Sequence, residues 1–65
     1  MQINGERIRF LRENAGMGLT ELANASSISK AYLSLMEHGK KTDPSPQVVS
    51  RIAQALGVAI VDLRE

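Results

Sequence analysis

The chain has 65 residues, room for one domain with one small core, and a domain of that size buries only about 60% of the surface its unfolded chain exposes. With no cysteine it has neither disulfides nor thiolate-bound zinc as staples, so its 43% of hydrophobic residues, almost all of them aliphatic, must hold the core alone. A net charge of +1 is weak support for nucleic-acid binding on its own, and no apolar run approaches the roughly 20 residues of a membrane span, so a soluble cytoplasmic protein is expected.

Apolar residues recur at helical spacing from one end of the chain to the other, and neither a repeat nor a linker divides it, so residues 1–65 read as a single domain. The first helix is expected to start after Asn4, whose side chain can cap its first turn, and to stop at Gly16. Ile8, Leu11 and Ala15 form its inner stripe, while Phe10 points nearly opposite Ile8. A short second helix runs from about Leu19 to Ala25, with Gly18 before it, Glu21 in its first turn, and Leu22 and Ala23 facing inward. Ser26-Ser27-Ile28 connects it to a third helix, capped by Ser29, running to about His38 and closed by Gly39. Leu33 and Met36 mark the inner face of that helix. A polar loop over residues 40–44 leads to a fourth helix with Ser45 as cap, Pro46 at the first position and Gly57 past the end. Its stripe is Val49, Ile52, Ala53 and Leu56. A fifth short helix, 59–63, would lay Ile60 and Leu63 over the open end of the core. The fold class is all-α, a compact five-helix bundle.

Two short helices joined by three or four residues form a helix-turn-helix, here over about residues 19–38, whose second helix is the one offered to a major groove. Ala23 is small enough for a close crossing, and Ile28 anchors the turn. Lys30, Ala31, Ser34 and Leu35 are left on the outer side of the third helix. Charge leans the same way, though slightly: residues 1–41 carry Arg7, Arg9, Arg12, Lys30, Lys40 and Lys41 against four glutamates.

The runs Gly5-Glu6-Arg7-Ile8-Arg9, Leu19-Thr20-Glu21-Leu22-Ala23, Ile28-Ser29-Lys30-Ala31-Tyr32-Leu33-Ser34 and Glu37-His38-Gly39-Lys40 occur in this order and spacing. Together with Thr42-Asp43-Pro44-Ser45 and Ala55-Leu56-Gly57-Val58 they resemble the lambda-repressor/Cro type, or XRE family, and within it the DNA-binding half of SinR-like regulators. The resemblance implies a lambda-repressor-like five-helix fold and sequence-specific binding of double-stranded DNA by a transcriptional repressor, in a bacterial or phage-type cytoplasm at the nucleoid. It implies base contacts from Lys30, Ala31, Ser34 and Leu35. It implies phosphate contacts from Ser29, Tyr32, His38, Lys40 and Lys41, with Arg9 or Arg12 reaching phosphate from the first helix. A homodimer on a two-fold operator is the usual partner state, and Phe10, Ile60, Val61 and Leu63 are its candidate contacts.

The chain also departs from that pattern. Leu19 stands where many members carry a phosphate-binding glutamine, which leaves Thr20 or backbone amides for that contact. Ser27 replaces a glycine of the turn and is strained if left-handed. The outer face has no Arg, Asn or Gln for bidentate base contacts; Lys30 can reach guanine, whereas Ala31 and Leu35 can touch only thymine methyls. Lys30 is read as a base reader in preference to a solvated helix residue, while Leu35 is either base-facing or an edge of the core. His38 is the single histidine, so no metal site is expected, and Glu37 is read as structural, pairing with Arg12. No cofactor and no enzymatic activity are expected. The rival reading is a protein-interaction module of the same fold, antitoxin or coactivator-like, with Phe10 as its interface.

Overall fold

In the computed structural model, residues 1–64 are described. Four α-helices follow one another: α1 (Gly5–Asn14), α2 (Leu19–Ala25), α3 (Lys30–Glu37) and α4 (Pro46–Leu56). A 3-10 turn, Ile60–Leu63, closes the chain, and there is no strand among the described residues. The expected fifth helix is therefore one turn. Asp62 N–H donates to the Ala59 carbonyl three residues back, and Asp62 Oδ2 accepts from Ala59 N–H at 3.1 Å. A single turn of four residues closed by such a bond is the 3-10 form.

The caps set the boundaries. Asn4 Oδ1 accepts from Arg7 N–H, Ser29 Oγ from Tyr32 N–H and Ser45 Oγ from Val48 N–H, at 3.2, 3.0 and 3.2 Å. At α2 the roles reverse, since Gly18 has no side chain, and Glu21 Oε1 accepts from the Gly18 N–H. All four α-helices end in the same way, on a left-handed residue whose successor returns an N–H to the carbonyl five positions back. Three of those residues are Gly16, Gly39 and Gly57; the fourth is Ser27, at φ 58°. The bonds are Met17 to Arg12, Ile28 to Ala23, Lys40 to Leu35 and Val58 to Ala53.

Ile8, Leu22, Ala23, Leu33, Met36, Val49, Ile52, Ala53 and Leu63 form the core, with Ile3 joining it from the N-terminal segment. Leu63 is fully buried, so the structure removes it from the dimer-contact candidates. Its carbonyl accepts from the Asn4 N–H at 2.8 Å, which ties the last turn to the start of α1. The inner stripe of α1 is shorter than its spacing suggests: Ile8 is buried and Leu11 half-buried, but Ala15 is exposed. α3 packs on α1 and α2, and α4 packs on α2 and the last turn.

Two contacts hold α3 in place. Gly5 lies so near the end of α3 that a Cβ there would overlap the Met36 carbonyl oxygen and stand 2.9 Å from its carbon. Arg12 and Glu37 form a forked ion pair, Nε to Oε2 at 2.7 Å and Nη2 to Oε1 at 3.0 Å, with side chains 12% and 4% exposed. Arg12 Nη1 donates to the Met17 carbonyl as well, and the Glu37 hydrogen bond raises the Arg12 pKa above its usual value.

Candidate nucleic-acid interface

α2, the connection over residues 26–29 and α3 pack as one unit. Ser26 is fully buried, and Ile28 donates its N–H to the Ala23 carbonyl while its side chain packs on the core. Leu33 and Met36 fix the inner face of α3. A helix anchored along one side can present only its other side, and there Lys30, Ala31 and Leu35 are exposed, Leu35 by 48%. Ser34 is half-buried. Its carbonyl accepts from His38 Nδ1 at 2.8 Å, and its hydroxyl lies 3.4 Å from the same nitrogen.

The charge of this face follows from the core. Glu37 is the single carboxylate of α3, and Arg12 draws it inward and neutralises it, so no acid remains on the outer side of the helix. Beyond α3, the Lys40 and Lys41 N–H groups both donate to the Leu35 carbonyl, at 2.9 and 3.2 Å. The backbones of the two lysines are thus tied to the end of α3 rather than carried on a free loop. Ser29, Lys30, His38, Lys40 and Lys41 are all exposed, and Tyr32 is half-buried. Thr20 is exposed in the first turn of α2, beside Leu19, which packs against the core.

Of the two alternative phosphate candidates on the first helix, one is turned inward. Arg12, a phosphate candidate in the sequence, gives Nε, Nη1 and Nη2 to Glu37 and Met17 and is turned inward. Arg9 stays exposed, in an i, i+4 pair with Glu13 at 3.3 Å, an interaction of the kind worth little at a solvated surface. Arg9 and His38 line the same open cleft, about 530 Å³, between the start of α1 and the end of α3, together with Glu6 and Glu37. In the sequence Arg7 counted only toward charge and the family resemblance. Its guanidinium lies 5.6 Å from the Phe10 ring centroid, and its Nε donates to the Asp62 carbonyl, so it links α1 to the last turn. Phe10 and Val61 remain exposed, at 53% and 55%, and Ile60 is half-buried.

Residues 5–65 match the family of helix-turn-helix domains. The chain belongs to this family. Among curated relatives, this helix-turn-helix domain is 40% identical over 60 residues to the HTH-type transcriptional regulator DdrOP3 of Deinococcus deserti, covering 92% of the chain and 46% of that protein. It is 36% identical over 58 residues to the HTH-type transcriptional repressor RghR of Bacillus subtilis, covering 89% of the chain and 43% of that protein. The domain thus spans less than half the length of these two relatives. Among solved structures it is similar to SinR, the master regulator for biofilm formation, in complex with DNA, with a TM-score of 0.85 and 35% identity over 88% of this chain and 90% of that one.

Proposed function

We propose that this helix-turn-helix domain binds double-stranded DNA in a transcriptional regulator, a repressor, with α3 in the major groove. One observation carries the reading: α3 offers an outer face without a carboxylate, ended by two lysines bonded to its own backbone. Lys30, Ala31 and Leu35 face the bases. Ser29, Tyr32, Lys40, Lys41, His38 and Arg9 meet phosphates, and Thr20 does so from α2. The solved DNA complex of SinR supports this assignment, as does the repressor named among the relatives. On a two-fold operator the domain pairs with a second copy through Phe10, Ile60 and Val61, because α3 must stay free for the groove.

Titration of a duplex at several salt concentrations tests the reading. Neutralising about three to five phosphates gives a log–log salt slope near −3 to −4. Lys40→Ala should weaken all duplexes alike and reduce the slope by about one. Lys30→Ala should also relax preference at one or two base pairs, because a base contact carries sequence information and a phosphate contact does not. A flat slope, or no binding at low salt, would replace this reading with the protein-interaction module, for which exposed Phe10 and Val61 are the available surface.

A further inference from the structure

We propose that this domain reads its site through the C5-methyl groups of thymine, with Leu35 as the discriminating side chain and Ala31 beside it; the inference rests on the DNA-binding reading above. Ala31 and Leu35 are four residues apart on α3, one above the other on the same face, and both are exposed. Ser34, the polar residue between them in the chain, is half-buried and engaged with His38, which leaves Lys30 as the polar reader of the face. The major-groove edge of a base pair offers donors, acceptors and one apolar group, the thymine methyl. An isobutyl side chain makes no hydrogen bond, so the methyl is the group it can recognise.

Two features favour DNA over an apolar protein partner as the occupant. In the chain Lys30 precedes the pair and Lys40 and Lys41 follow it, and α3 itself carries no exposed carboxylate. The Leu35 carbonyl also accepts both lysine N–H groups, so the residue that touches the methyl and the cations that hold the backbone share one anchor. Phosphate binding therefore fixes how deep Leu35 sits in the groove.

The test starts from a duplex selected by the full chain from a random pool. Each thymidine is replaced in turn by deoxyuridine, which removes the methyl and leaves the hydrogen-bonding edge unchanged. Affinity should fall about four-fold, the value of one buried carbon, at one or two positions and stay level at the rest. Leu35→Ala and Leu35→Gln should bind thymidine and deoxyuridine duplexes equally at those positions, while retaining the salt slope of the wild type. Equal affinity of wild type for every deoxyuridine duplex would overturn the inference alone. So would a deoxyuridine effect that persists in full at every position in both Leu35 variants, since Leu35 would then not be the side chain that discriminates. Failure to bind any duplex at low salt would overturn the DNA reading and the inference with it.

Discussion

Gly5 and Glu37 show how single residues set the position of the recognition helix. At an ordinary first helical position, alanine in place of glycine helps, by up to about 1 kcal/mol. At Gly5 the added carbon meets the Met36 carbonyl, which is main chain and cannot swing aside. Gly5→Ala should therefore destabilise the domain by about 2–3 kcal/mol, as overpacked sites do, and urea unfolding would measure it. A neutral or stabilising effect would mean that α1 and α3 do not approach so closely. Glu37→Gln keeps shape but leaves the Arg12 charge buried beside an amide, and should lose about 3 kcal/mol in the same experiment. Replacing both residues by methionine should be milder than that single change, because the loss comes mainly from the stranded charge. A double variant weaker than Glu37→Gln would show that the pair itself holds α3.

At the scale of helices, the four α-helices were legible because their signals are local. Asn4, Ser29 and Ser45 cap within three residues, and glycine marks three of the four ends. The recognition helix was legible for the same reason, and Leu33 and Met36 revealed which side it buries. What the sequence hid depends on partners far along the chain. Nothing near Gly5 announces Met36, and nothing near Leu63 announces that its carbonyl accepts from the Asn4 N–H. Arg12 was given two roles, and only the packing of α1 on α3 decides between them. Ser27 was read as strained only if left-handed; the structure makes it so, and this leads to a prediction. With φ at 58° a side chain there is strained by roughly 1–2 kcal/mol, part of which glycine gives back in unfolded-chain entropy. Ser27→Gly should raise stability by about 0.5–1 kcal/mol, or roughly 4 °C in Tm for a domain of this size. A fall in Tm would mean that the serine side chain contributes more than its backbone strain removes.

Taken whole, the molecule has two separate exposed surfaces. α3 and the lysines after it form one surface, and Phe10, Arg7 and the last turn form another, joined through the Asp62 carbonyl and the Phe10 ring. Val61→Glu should leave the fold intact, since Val61 is more than half exposed, and should lower self-association and cooperative binding to paired half-sites. Binding to one half-site should survive, and sedimentation of both proteins with one-site and two-site duplexes would separate the effects. Equal self-association of the two proteins would take the last turn out of the dimer contact. The central claim, that α3 is the surface facing DNA, is tested most directly by following backbone amide NMR shifts as a duplex is added at low salt. The largest changes should fall on Lys30, Ala31, Leu35, Lys40 and Lys41, with Phe10 and Val61 nearly still. Changes concentrated at Phe10, Val61 and the last turn, with α3 unmoved, would contradict it.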